Sequence, residues 1–217
     1  MKLYDYSRSS AAYRTRIVLN LKGIKYQSSP INLLAKEQQQ AGYLAINPQG
    51  MVPTLELDDG RRISQSTAIV EWLEAEYPQT PLMPIDNFAA AIVREACNLI
   101  ACDIHPLNNL KVLRYLKNKL AVSDENRTNW YHHWIHQGFS SLEQTISQNL
   151  NPSKGTYFSG SHPNLVDAYL VPQTYHALQQ KVDMSAYPLI LNVYGHCNKN
   201  PAFISAHPDQ QPDNPKK

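Results

Sequence analysis

Cysteine is scarce: 217 residues contain only Cys97, Cys102 and Cys197, with no CxxC pair. An odd count without that spacing argues against a disulfide framework and fits a reducing, cytoplasmic setting. A strong net charge is also missing, since 20 Lys+Arg against 18 Asp+Glu leave a formal +2. A dominant polybasic surface for nucleic acid or membrane is therefore not expected. No apolar run approaches the roughly 18–20 residues that a membrane-crossing helix needs. No internal repeat is present, and Met1-Lys2-Leu3-Tyr4 enters a strand-like segment directly, without a signal-peptide pattern. Hydrophobic residues make up 42% of the chain, enough for a real core, and this excludes a disordered chain. The length allows one large domain or two modest ones.

The first 80 residues alternate between strand and helix patterns. Lys2 to Tyr6 reads as a strand, followed by a helix with Ile17, Val18 and Leu21 on one face and Gly23 as its stop. Tyr26 to Pro30 reads as a second strand and Gln38 to Ile46 as a short polar helix. Val52 to Leu57 enters a hairpin at Asp58-Asp59-Gly60 and returns through Arg62-Ile63. Ile69, Trp72 and Leu73 then mark a closing helix, giving the order β-α-β-α-β-β-α.

Pro78, Pro81 and Pro84 mark a boundary, after which the pattern is almost wholly helical. Ile100, Ile104 and Leu107 predict a long helix kinked at Pro106, and Tyr131, Ile135, Phe139, Leu142 and Ile146 predict another. Asn164-Leu165-Val166-Asp167 resembles a capping box, and Pro172 inside the helix that follows predicts a kink or early break. Beyond about Ser205 the chain is polar and proline-rich, as in an extended tail.

Three segments have the residue types for a binding site. Ser9-Ser10-Ala11-Ala12-Tyr13-Arg14 lies between the first strand and first helix, where a hydroxyl and free N–H groups stabilise an anion, a thiolate included. Ser is equally a common helix cap, so this motif is weak alone. Pro53 stands at a strand entrance, where a cis peptide would present the Val52 backbone as a docking edge; an ordinary edge-strand proline is the plain alternative. Gln65-Ser66-Thr67 begins the next helix, as a further anion site or as a cap. Together they suit a peptide-like ligand with carboxylates. His132 and His136, spaced i, i+4, lack further ligands nearby, so an aromatic-flanked helix face is expected there and no metal site. Cys97 and Cys102 are expected to pack within their helix.

The chain resembles the zeta class of glutathione transferases, and within it the maleylacetoacetate isomerases. The matching residues are Arg8-Ser9-Ser10-Ala11-Ala12-Tyr13-Arg14-Thr15-Arg16-Ile17, Asn47-Pro48-Gln49-Gly50-Met51-Val52-Pro53-Thr54-Leu55, Gln65-Ser66, Ile104-His105-Pro106-Leu107-Asn108-Asn109-Leu110, Leu170-Val171-Pro172-Gln173, His207-Pro208 and Gln211-Pro212-Asp213. The resemblance covers essentially the whole chain, in order. It implies an α/β plus all-α architecture: a thioredoxin-like glutathione-binding domain over 1–80, a linker over 81–87, and an all-helical domain over 88–217 with an extended C-terminal tail. A homodimer and glutathione as cofactor are implied as well.

By that resemblance Ser9 and Ser10 are the catalytic residues, Ser9 hydrogen-bonding the glutathione sulfur. Ala11 lies beside them, Val52 and Pro53 meet the cysteinyl part, Gln65 and Ser66 hold the γ-glutamyl carboxylate, and Gln38 lies near the glycyl end. His105 and Asn109 are implied as further glutathione contacts, and Arg8 and Arg14 are candidates for the carboxylates of an unsaturated diketo acid. For Arg14 a surface role at a helix start is equally open.

Two departures matter. Ala11 stands where many members have cysteine, which excludes a mechanism needing that thiol. Gln179 stands where an arginine is expected before Lys181-Val182-Asp183, and glutamine cannot replace a bidentate cation. The implied reaction is conversion of maleylacetoacetate to fumarylacetoacetate in tyrosine and phenylalanine breakdown. Maleylpyruvate isomerisation, general glutathione conjugation and non-catalytic glutathione-fold binding are the alternatives.

Overall fold

Leu3 is fully buried while its neighbour Tyr4 joins a separate cluster, because successive strand side chains point to opposite faces. The computed structural model describes residues 1–149 and 156–214. In it, β1 (Lys2–Asp5) pairs in parallel with β2 (Gln27–Pro30) and antiparallel with β3 (Thr54–Glu56), which in turn pairs antiparallel with β4 (Arg62–Ser64). The strand order is β2-β1-β3-β4. A parallel pair needs a crossover, supplied by α1 (Ser10–Leu21). That helix ends at Gly23, whose φ of 67° suits glycine and lets Ile24 N–H return to the Leu19 carbonyl. α2 (Ala41–Leu44) and α3 (Ser66–Glu76) complete the β-α-β-α-β-β-α order.

One segment differs from expectation. The polar helix over 38–46 is split into a 3-10 turn at Glu37–Gln39 and α2, with Gln40 extended between them. Only Gln38 and Tyr43 are buried in these pieces, so no apolar face holds a longer helix together.

Contacts divide the chain into two units: Met1–Leu82 with residues from Asn198 onward, and Met83–Cys197. Residues 198–214, placed with the helical half on sequence grounds, thus associate with the sheet-containing unit. α9 (Pro201–Ala206) is capped by Asn200, and beyond it, where an extended tail is expected, Pro208–Gln210 forms a 3-10 turn; residues 215–217 of that expected tail lie outside the described residues. Gln211 donates to the Ser205 and His207 carbonyls, and Asn214 donates to that of Pro208, so polar composition here closes a folded turn.

The second unit holds α4 (Asn87–Asn98), α5 (Leu110–Asn118), α6 (Asp124–Asn149), α7 (Leu165–Gln179) and α8 (Pro188–Cys197). The long helix expected through Leu107 does not simply kink. It widens into a π-helix over Leu99–Ile104, where His105 N–H reaches back to the Ile100 carbonyl at 2.9 Å, and then stops. Pro106 has no N–H with which to continue. α7, in contrast, runs unbroken through Pro172. Every residue from Leu165 to Tyr175 is buried, and this packing overrides the local cost of proline. Its start carries the full capping box of Asn164 and Asp167. Of the two helical cysteines expected to pack, Cys97 is buried but Cys102 is exposed, since five residues on a helix span more than one turn.

Candidate functional site

The turn before α1 is held at nearly every peptide group. Ser9 N–H donates to the Tyr6 carbonyl at 2.9 Å, closing the turn. The buried Arg16 guanidinium donates to the carbonyls of Ser7 at 2.9 Å and Ala206 at 3.0 Å, and it pairs with Asp5 at 3.1 Å. The Asp213 carboxylate accepts Ser7 N–H at 2.9 Å. Burial pushes the Asp5 carboxyl above the usual range, opposed by Arg16 and reinforced by the nearby Asp213 charge. Ser9 therefore enters α1 in a fixed extended conformation (φ −78°, ψ 120°), with its Oγ accepting Ala12 N–H at 3.3 Å. Accepting that bond leaves the hydroxyl proton for a ligand, beside the positive end of the helix.

A second element lies before β3. The Val52–Pro53 peptide is cis, the one of the two forms left open by the sequence that presents the Val52 backbone. Tyr43 and Asn47 both donate to the Met51 carbonyl, at 2.7 and 2.8 Å, and both touch Thr54 Oγ1. Neither the N–H nor the carbonyl of Val52 has a hydrogen-bond partner among the described residues. The segment is thus fixed on both sides of an open backbone edge, the form that pairs with an extended peptide.

Gln65 occupies the N-cap position of α3 with a φ of 73°, an unusual conformation for a residue with a side chain. Its side-chain nitrogen donates to Gln49 Oε1 at 2.7 Å, and Ser66, buried, opens the helix. Gln38 is only 7% exposed, and its Oε1 is buried without a partner. The Gln38 carbonyl lies so near Gly50 that a Cβ there would meet it at 3.0 Å. Gln38, Gln49–Val52 and Gln65 are therefore neighbours, and Val52 packs in one cluster with Tyr6, the residue that receives Ser9 N–H.

The remaining candidates fall elsewhere. Arg8 is exposed, whereas Arg14 is 1% exposed and is not the surface residue that one reading allowed. Ala11 is half-buried beside Ser10. In the helical unit, Asn109 caps α5 through Lys111 N–H, and its amide nitrogen stands 3.4 Å from His105 Nε2, directly after the π-helix. His132 bonds the Gln180 carbonyl and His136 the Tyr187 hydroxyl, so this pair serves helix packing. Gln179 ends α7, exposed. Sequence reasoning missed the supports: Tyr43, Asn47, Thr54, Arg16 and the Asp213 carboxylate. Their partners lie up to 206 residues away, and although Arg16, Asn47, Thr54 and Asp213 stand in the matching segments, no local signal marked them as supports.

Residues 8–76 match the family model described as "Glutathione S-transferase, N-terminal domain". A maleylacetoacetate isomerase of Pseudomonas aeruginosa is 45% identical over 217 residues, covering 99% of each chain. A solved structure described as holo maleyl pyruvate isomerase, a bacterial glutathione S-transferase of the zeta class, superposes with a TM-score of 0.94 at 39% identity, covering 98% of this chain and 99% of that one. The maleylacetoacetate isomerase of Anaeromyxobacter dehalogenans, solved with glutathione in its active site, gives a TM-score of 0.87 at 39% identity, covering 99% and 97%.

Proposed function

The chain belongs to the zeta class of the glutathione S-transferase family, and from that premise we propose that it is a glutathione-dependent cis–trans isomerase converting maleylacetoacetate to fumarylacetoacetate. The observation that carries this reading is the pairing of a free Ser9 hydroxyl at a helix start with the open backbone edge of Val52 in the same unit.

The residues fit the tripeptide. Val52 offers one N–H and one carbonyl to its cysteinyl backbone, Gln65 and Ser66 meet the γ-glutamyl carboxylate at the start of α3, and the unpartnered Gln38 Oε1 accepts from the glycyl end. Held there, glutathione would supply a sulfur nucleophile for addition to the conjugated double bond, with bond rotation and then elimination regenerating it. Ser9 donates its hydroxyl proton in a hydrogen bond to the sulfur, and the first turn of α1, including Ser10 and Ala11, contributes its positive end.

Thiol activation by itself is small. Lowering a thiol pKa from about 8.5 to about 6.5 raises the thiolate fraction at pH 7 from roughly 3% to roughly 75%. The accompanying loss of nucleophilicity is about 8-fold, so the net gain is about 3-fold. Most of the rate must come from orienting the alkene and stabilising the charge that develops on its carbonyl. Arg8, exposed beside Ser9, is the better candidate for the substrate carboxylate; the burial of Arg14 suits it to holding α1. His105 and Asn109 remain proposed ligand contacts on the strength of the resemblance. A homodimer, a cytoplasmic setting supported by three free cysteines, and a place in tyrosine and phenylalanine breakdown belong to the same proposal.

Gln179, which lacks the expected arginine's grip, favours one second reading: the shorter substrate maleylpyruvate. Purified protein should convert maleylacetone faster than maleylpyruvate with total thiol constant. Faster conversion of maleylpyruvate selects the second reading, stoichiometric loss of thiol with a chlorinated acid indicates a conjugating transferase, and no turnover of any substrate overturns the enzymatic reading.

A further inference from the structure

Fourteen residues at the end of the described chain run back along α1 toward the Ser9 turn. Asn20 Nδ2 donates to the Ala202 carbonyl at 3.0 Å, and Arg16 Nε donates to that of Ala206 at 3.0 Å. His207 packs edge-on against Tyr13, with ring centroids 6.0 Å apart. The turn that follows is closed internally by Gln211 and Asn214 and ends by presenting Asp213 to Ser7 N–H at 2.9 Å. Arg16 holds the other side of the same residue, donating to the Ser7 carbonyl at 2.9 Å. Ser7 is therefore gripped at its N–H by an anion and at its carbonyl by a cation, two residues before Ser9.

We propose that Asp213 is a positioning residue for the reaction: through Ser7 it sets the Ser9 hydroxyl at the mouth of α1, so that the C-terminal segment is part of the active-site machinery. Chemical necessity supports this. A charge-assisted hydrogen bond is about twice as strong as a neutral one, and Asp213 is the side chain that holds the Ser7 N–H, while Arg16 holds the Ser7 carbonyl and Ser9 N–H donates to Tyr6. A serine hydroxyl misplaced by about 1 Å loses most of its hydrogen bond to a sulfur. Asp213 touches neither sulfur nor substrate in this scheme; it acts on the backbone alone.

The inference rests on the glutathione site proposed above, and the test separates the two. The ionisation of glutathione bound to the intact protein is followed by thiolate ultraviolet absorbance against pH, together with kcat/KM. Asp213→Ala is expected to raise the midpoint by about 0.5–1 unit and to lower kcat/KM at neutral pH about threefold to tenfold. Asp213→Asn keeps an acceptor oxygen and should lie closer to wild type. Gln211→Ala loosens the same turn without touching Ser7, and it should give a smaller shift in the same direction. A merely structural role would reduce the folded fraction without moving the midpoint. Overlapping ionisation curves for wild type and Asp213→Ala overturn the inference. A wild type with no thiolate signal overturns the site reading and this inference with it.

Discussion

The Tyr43 hydroxyl donates to the Met51 carbonyl at 2.7 Å and lies 3.1 Å from Thr54 Oγ1, tying α2 to both flanks of Val52. Burial pushes its phenol up, so it remains a donor throughout the neutral range. Tyr43→Phe keeps the ring in its cluster with Tyr4, Tyr6 and Val52 and removes only the hydroxyl. Because Asn47 still holds Met51, the expected loss is about 0.5–1.5 kcal/mol in stability. Affinity for glutathione should fall severalfold as the Val52 edge loosens. Calorimetric titration of the variant checks this, and unchanged affinity would detach Tyr43 from the site.

Gly138 in α6 faces Ile104, the last residue of the π-helix: a Cβ on Gly138 would stand 2.3 Å from both Cγ1 and Cδ1 of Ile104. No real contact is that short, and Ile104 is fully buried with nowhere to move. Gly138→Ala is expected to destabilise by about 1–3 kcal/mol. Adding Ile104→Ala should cost less in that background than in wild type, because the methyl fills part of the space vacated. Urea denaturation of the four proteins measures the coupling.

Asp167 is fully buried, and its carboxylate accepts the N–H groups of Phe158 at 2.9 Å and Asn164 at 2.8 Å. Desolvation outweighs these bonds and pushes its carboxyl up to about 7. The unfolded value is about 3.9, so between the two the native state binds the proton more tightly. Its contribution is complete below about pH 4 and is lost as pH rises toward 7, by at most about 1.4 kcal/mol per unit. Unfolding free energy measured at pH 5 and 7.5 should reveal this fall, and Asp167→Asn should flatten it.

Where a signal is local, the sequence was readable. Ser9, Pro53 and Ser66 each stand at the start of an element, and the Asn164–Asp167 box closes within four residues; all four sit where the local pattern places them. Signals that depend on distant partners were not. Pro172 breaks an isolated helix but not one buried over its first three turns, and no local rule foresees that packing. The polar end of the chain looked like an extended tail because Gln211 and Asn214 find their carbonyl partners only in a folded turn. Arg14 stood at a helix start like a surface residue, yet it is buried.

Ser9 bears the central claim, and its effect on bound glutathione is directly measurable. Ser9→Ala removes the hydroxyl and the α1 cap, at about 1 kcal/mol of stability, while leaving Val52, Gln65 and Ser66 to retain the tripeptide. Spectroscopic titration of bound glutathione should give a thiol midpoint near about 6.5 in wild type and close to the free value of about 8.5 in Ser9→Ala, with Ser9→Thr restoring the lower value. Equal midpoints in wild type and Ser9→Ala would contradict it.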